Sequence, residues 1–239
     1  MLASTMAPSG IIYVGSHITD PALSQDLLNR WYYETHFPEI FAIPNGPQVG
    51  FRFKNAKESA TFHHLTLVPL PSLALVDSPD FTNAKYTYDL LPKSHLELAE
   101  FDIRYYEKVR TFEDQVPKDG RIGKCLVAID IDSDKGDEAE KDFDAWYNLQ
   151  QADMLSVIPG YRRTTCYKLK EAPSFSATNS GDVPRYLALH EYDSTDVKAE
   201  HVKLCLKTEW NNTTLGDSRS FVRDIWITIH EQGREGFGL

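Results

Sequence analysis

Apolar residues recur with a period of two in eight short runs of this chain, and some of the stretches between them carry apolar residues at helical spacing. The first run, "GIIYVGSHI" (10–18), places Ile11, Tyr13, Gly15 and His17 on one face and Ile12, Val14 and Ser16 on the other. Both faces are largely apolar, which predicts a strand covered on both sides. Asp20-Pro21 reads as a helix start, with Leu23, Leu27, Leu28 and Trp31 as the apolar stripe that follows. Pro38 disfavours helix at Phe37, so this helix is predicted to end at about His36. "PQVGFRFKN" (47–55) and "FHHLTLVPL" (62–70) read as strands, Pro71 to Glu100 as a mixed segment with at least one helix, and "FDIRYYEKVRTF" (101–112) as a closing strand. The order is β-α-β-β-α-β.

After "QVPKDG" (115–120), which has the composition of a linker, the order repeats. "GKCLVAIDID" (123–132), "YRRTTCYKLK" (161–170), "RYLALHEYD" (185–193) and "FVRDIWITIHE" (221–231) read as strands. "DEAEKDFDAWYNLQQADML" (137–155) and "VKAEHVKLCLKTEW" (197–210) read as helices. The helix sequences also correspond. "WYYETHFPEI" (31–40) returns 115 positions on as "WYNLQQADML" (146–155), with Trp146 and Tyr147 in the places of Trp31 and Tyr32 and Gln151 in that of His36. Trp31 and Trp146, recurring at matching positions, read as core. The expected fold class is α+β, with two tandem ferredoxin-like βαββαβ repeats, residues 10–113 and 121–232, forming a pseudo-dimeric α+β barrel. Each repeat has an apolar sheet face that needs a cover, and each half supplies the cover the other lacks.

The runs "RWYYETHFPEI" (30–40), "SVIPGYRRTTCYKL" (156–169) and "RYLALHEYD" resemble fungal proteins of the EthD-like, dimeric α+β barrel superfamily, over Gly10 to Glu231. That resemblance implies a hydrophobic pocket between sheet and helices, often with a histidine at the end of the first helix, which here is His36. It also implies a range of activities: cofactor-free decarboxylases and cyclases on polyketide-derived phenols, small monooxygenases on aromatics, muconolactone isomerase and, more distantly, haem binding. The EthD branch takes its name from a protein accessory to a haem monooxygenase system. Gln151 departs from the pattern in the second half.

Composition narrows the classes. Hydrophobic residues make up 41% and charged ones 25%, a globular balance, and the net charge of −10 excludes nucleic acid as the expected partner. No run is long and apolar enough to predict a membrane span, and "MLASTMAPSG" lacks the regions of a signal peptide, so a soluble, cytoplasmic protein is expected, as a monomer or homodimer. Cys125, Cys166 and Cys205 have no CxxC spacing and read as reduced, packed thiols. The acidic run "DSDKGDEAEKD" (132–142) lacks the spacing of a calcium loop, and "NNTT" (211–214) matches a glycosylation acceptor by chance. No GxSxG, HExxH, P-loop or GxGxxG pattern occurs, so neither a metal nor a cofactor is expected.

The candidate chemistry centres on His36. At a helix carboxyl end the dipole favours the imidazolium and apolar burial favours the neutral ring, a balance expected to poise it near neutrality as a general acid and base. Tyr32, four residues back, would orient it or hold a substrate oxygen. His63 and His64 must face apart on a strand; if Leu65 and Leu67 face the helices, His64 shares the other face with Thr66 and is the candidate for the cavity. Tyr13, His17, Phe37, His95 and Tyr105 are candidate substrate-binding residues for a flat ligand, although tyrosines on strands also serve simply to pack, and a helix start suits His95 equally well. His190 and Glu191 face apart and form no dyad. "EAPSFSATNSGDVP" (171–184) is either a lid or a plain loop. The expected function is a cofactor-independent lyase or cyclase on a small aromatic or polyketide-like molecule. The alternatives are a non-catalytic binding or accessory protein, or a haem- or oxygen-dependent monooxygenase with His64 or His36 as ligand.

Overall fold

The computed structural model describes residues 7–113, 121–133, 141, 145–178, 181–197, 199–205, 207–210, 218–234 and 239. Eight strands form one closed antiparallel barrel: β1 (Gly10–Ile18), β2 (Val49–Asn55), β3 (His64–Leu70), β4 (Ala99–Glu113), β5 (Cys125–Ser133), β6 (Tyr161–Glu171), β7 (Tyr186–Tyr192) and β8 (Ser218–Gly233). They correspond to the eight runs of period two. Around the barrel the order is β1-β3-β2-β8-β5-β7-β6-β4. Up to residue 113 the neighbours run β4-β1-β3-β2, and beyond residue 121 they run β8-β5-β7-β6, the same arrangement met again. The two sets join where β2 pairs with β8 and β4 with β6.

Alternation sends one face of each strand inward. Ile11, Tyr13, Phe51, Phe53, Leu65, Leu67 and Tyr106 meet Leu126, Tyr167, Leu187, Leu189 and Trp226 inside the barrel, so the interior is a shared apolar core. The opposite faces are covered from outside. Ile12, Val68 and Leu70 pack under helices of the first half, and Val127, Ile129 and Ala188 under those of the second. The linker 115–120, most of the acidic run 132–142 and the "NNTT" site lie outside the described residues, and no described helix is long and apolar enough to cross a membrane.

The first helix departs from its expected limits. Asp20 does not cap it, because its carboxylate accepts the Ala22 N–H in a local turn; Ser24 caps instead, accepting from the Leu27 N–H, and α1 is Gln25–Trp31. Nor does the helix stop at His36. It widens into a π-helical turn at Tyr32–His36, where the Phe37 N–H reaches the Tyr32 carbonyl, and continues as α2 (Phe37–Phe41) with Pro38 in its first turn, a position that needs no N–H. Pro38 is not the cause of the widening. The second half has the same π turn at Tyr147–Gln151, and there Asp153 stands 115 positions on from the proline.

Candidate functional site

Between these helices and the outer face of the first-half sheet lies a cavity of about 320 Å³. The sheet contributes Ile12, Val14, Thr66, Val68, Phe101, Ile103 and Tyr105. The helix contributes Trp31, Tyr32, His36 and Ile40, and the extra residue of the π turn brings these four to one side. A third wall comes from the stretch between β3 and β4, which holds α3 (Pro79–Thr82) and α4 (His95–Leu98). Tyr86 and Tyr88 both line the cavity, and Thr87 between them ties the loop down: Glu39 accepts its N–H and hydroxyl, and the Trp31 indole N–H donates to its carbonyl at 2.9 Å. Phe175, from the 171–184 loop, lies at the mouth. That loop is held to β4, since the Ile103 N–H donates to the Ser176 hydroxyl and the Ala177 N–H to the Phe101 carbonyl.

Two imidazoles stand in this aromatic wall. Trp31 stacks on His36 with ring centroids 4.5 Å apart and on His95 at 5.2 Å. Tyr32 and Tyr86 meet His36 edge-on, and Tyr88 stacks on His95. Nδ1 of each ring is buried with no hydrogen-bond partner among the described residues. The expected poise near neutrality does not hold. Burial, with the charges of His95 and Arg52 adding to it, pulls His36 down to about 3, and burial alone pulls His95 to about 4. Both rings are neutral at pH 7 and can accept a hydrogen bond or a proton. Continuation of the helix through α2 also denies His36 the terminal carbonyls that would have favoured its charged form.

Behind Tyr32 and Thr66 lies Arg52, wholly buried on β2. Its Nη1 donates to the Thr66 hydroxyl and its Nη2 to the Asn29 side-chain oxygen, each at 2.8 Å, and its guanidinium sits 4.0 Å from the Tyr32 ring centroid.

The cavity therefore gathers Tyr32, His36, His95 and Tyr105 from the candidates read in sequence. It does not gather the others. Leu65 and Leu67 face the barrel interior, the reverse of the premise used for His64; His64 is on the helix side with Thr66 but lines no part of the cavity, and its pKa falls to about 4 through burial, Arg52 and His63. Tyr13 faces the interior, where Arg104 lies 4.9 Å from its ring, beside the Asp102–Arg104–Asp130 ion-pair cluster and a cavity of about 450 Å³. His17 packs against His63. Phe37 is buried in the core against Phe41 and so close to Gly50 that a Cβ there would come within 2.6 Å of its ring. Sequence reasoning missed Thr66, Tyr86, Tyr88 and Phe175; the alternating tyrosines of "KYTYD" were the available signal.

The second half has a smaller pocket, about 150 Å³, in the matching place, lined by Trp146, Tyr147, Gln151, Leu155, Val127, Ile129, His190 and Arg223 among others. His190 is the residue the sequence did not reveal there. One ring nitrogen bonds to the Tyr147 hydroxyl at 3.1 Å and the other to the Thr164 hydroxyl at 2.8 Å. Burial, then Arg223, lowers its pKa to about 3. Glu191 points the other way, to Arg163, so the two form no dyad.

No family model and no curated protein matches the sequence. Solved structures do match the fold. A proposed monooxygenase from Fusobacterium nucleatum aligns with a TM-score of 0.56 at 9% identity, covering 98% of this chain and 100% of its own. One from Lactobacillus acidophilus aligns at 0.54 and 10%, covering 97% and 98%. An anthrone oxidase-like protein aligns at 0.54 and 12%, covering 95% and 93%. At such identities the likeness shows the fold, the dimeric α+β barrel, here closed within one chain.

Proposed function

We propose that this chain is an enzyme that moves a proton on a flat phenolic or polyketide-derived aromatic molecule bound in the first-half cavity, with His36 as the acid and base, His95 beside it and Tyr32 orienting the ring. The observation that carries this is the pair of neutral, uncommitted imidazoles in an aromatic cavity of about 320 Å³. An imidazole with a pKa near 3 is a weak base in the empty site, but the anion it creates stands beside it in low dielectric and stabilises the imidazolium formed. The lone pair of His36 takes a proton from an acidic C–H or O–H, and the electron pair left behind becomes an enolate or phenolate.

Two outcomes share that step. In a lyase or cyclase, the anion either loses carbon dioxide from its carboxylate and takes the proton held by His36 at the carbon so freed, or closes a ring on a carbonyl whose oxygen takes that proton. In an oxygenase without a cofactor, the anion reacts with dioxygen, an activated CH2 becoming C=O while the second oxygen leaves as water. The names of the structural neighbours, an anthrone oxidase-like protein and two proposed monooxygenases, favour the oxygenase. Of the two haem ligands named from sequence, His64 lines no part of the cavity, whereas His36 does. The EthD-like resemblance and the repeated strand order support a tandem origin, with residues 10–113 and 121–232 as its two units and a homodimer as a further level of assembly.

The test is product formation from a panel of phenolic and polyketide acids and anthrones, with and without oxygen, for wild type and His36→Gln. Turnover by wild type alone supports His36 as the base, and its dependence on oxygen separates the two outcomes. Equal binding with no turnover by either protein overturns the enzymatic reading in favour of a binding or accessory protein.

A further inference from the structure

A guanidinium keeps its charge in a protein, and a buried charge without a counter-charge is costly. Arg52 is 0% exposed, and its partners are the Asn29 amide oxygen, the Thr66 hydroxyl and the side chains of Tyr32 and Tyr33; no carboxylate pairs with it among the described residues. Its Nε is also buried with no hydrogen-bond partner among the described residues. Other arginines of the barrel are treated differently: the half-buried Arg104 lies between Asp102 and Asp130, and the buried Arg162 and Arg163 are paired with Asp193 and Glu191. Among the described residues, Arg52 stands out as a buried cation without a counter-ion.

Its position says where the missing charge belongs. Thr66 and Tyr32, the two groups it touches on the cavity side, both line the cavity. Because the Thr66 oxygen accepts from Nη1, its own hydrogen is directed elsewhere, and no acceptor for it occurs among the described residues. A hydroxyl whose oxygen is held by a cation is a strengthened donor. The wall thus offers a polarised donor from the sheet, while the helix offers neutral acceptors.

We propose that Arg52, acting through Thr66, is the anion-recognition element of this cavity, and that the substrate is an aromatic carboxylate. A carboxylate fits better than a phenol because it is ionised at neutral pH before it binds, and a standing positive charge calls for a standing negative one. The occupant also explains why the cation is tolerated: the ligand completes an ion pair that the chain leaves half-made. Arg52 is a positioning residue here, separated from the ligand by Thr66. The inference rests on the cavity being a substrate site, and it names the class of substrate.

The probes are 2-naphthoate and its neutral isostere 2-naphthamide, with affinity measured by calorimetry for wild type, Arg52→Met, Arg52→Lys, Thr66→Val and Thr66→Ser. Wild type is expected to prefer the acid by about tenfold or more, a modest fraction of the attraction a partly buried charge pair can supply. Arg52→Met brings the ratio to about one, Arg52→Lys keeps most of it, Thr66→Val lowers it and Thr66→Ser preserves it. The melting temperature of ligand-free Arg52→Met stays level or rises, since an apolar chain replaces an unpaired buried charge. A purely structural Arg52, tying Asn29 of α1 to the sheet, predicts the opposite: a lower melting temperature and acid and amide weakened alike. That result, equal affinity of wild type for acid and amide, or binding of neither probe, overturns the proposal. Should Arg52→Met fail to fold, the two Thr66 variants decide by the same ratio. A preference for the acid without turnover of any substrate would leave this inference standing and sink the enzymatic one.

Discussion

The cavity beside His36 and the pocket beside Gln151 share one frame, a Trp–Tyr pair, a π turn and an apolar residue one turn on, yet they treat their polar groups in opposite ways. In the second pocket His190 is bonded at both nitrogens, to Tyr147 and Thr164, so its hydrogen-bonding capacity is spent within the protein. In the first, His36 and His95 have no hydrogen-bond partner and Arg52 has no counter-ion among the described residues. Strand register makes the exchange explicit. Val14 pairs with Thr66, and Ile129, 115 positions on, pairs with Ala188; Arg52 opposite Thr66 is answered by Cys166 opposite Ala188. Val68, opposite Ile12, is answered by His190, opposite Val127. Polar groups that satisfy one another hold a structure together, whereas groups left unsatisfied at a cavity wall are available to a ligand.

The largest expected effect comes from erasing the difference at the helix. His36→Gln gives the first cavity the residue of the second, and turnover should fall by about a hundredfold or more while ligand affinity changes little; steady-state kinetics and calorimetry on the same preparation measure both. A variant that keeps its rate would remove His36 from the chemistry. Next is His190→Val, which gives the second pocket the residue found at Val68. Removing the His190 bonds to the Tyr147 and Thr164 hydroxyls costs about 2 kcal/mol, or roughly 4–8 °C in melting temperature for a chain of this size, with first-cavity turnover unchanged. Lost turnover with a normal melting temperature would show that the two pockets are not separable in this way.

Acid sharpens the comparison further. His36 and His190 both have folded-state pKa values near 3, below the ordinary 6.5, so the unfolded chain binds protons that the folded one does not. The stability this represents is intact above pH 6.5 and is lost as the pH falls toward 3, at up to about 1.4 kcal/mol per pH unit for each ring. Denaturant midpoints between pH 7 and 4 should fall steadily in wild type and less steeply in His36→Gln and His190→Val; parallel slopes would contradict the burial of these rings. The smallest effect is expected from Phe175→Ala. Opening the cavity mouth should weaken aromatic ligands by about three- to fivefold, close to 1 kcal/mol of apolar contact, with the melting temperature hardly moved.

Much of the barrel was legible because strand alternation is a local signal: Ile11 and Ile12 reveal two covered faces from their own neighbours in sequence. The helix carrying His36 was legible in place but not in extent. Pro38 stops an ordinary helix by steric and donor effects, and nothing local announces a π turn that seats it in a new first turn. His36 and Tyr32, picked out as catalytic candidates, and His95 and Tyr105, picked out as substrate-binding candidates, do line one cavity. Tyr13, His17 and His64 could not be assigned to a wall, because which face of a strand turns inward depends on the opposite half of the barrel. Thr66 and Arg52 were invisible for the same reason: their meaning lies in a cross-strand pair, 14 residues apart in the chain, and in the absence of a counter-ion among the described residues.

Closure of the barrel within one chain has a consequence for association. Every described strand has a neighbour on both sides, so among the described residues the barrel presents no open border of unpaired N–H and C=O groups onto which another chain could add a strand. Contact between copies then falls to helix surfaces and side chains, and the apolar strands that build the interior are shielded from templating fibrils.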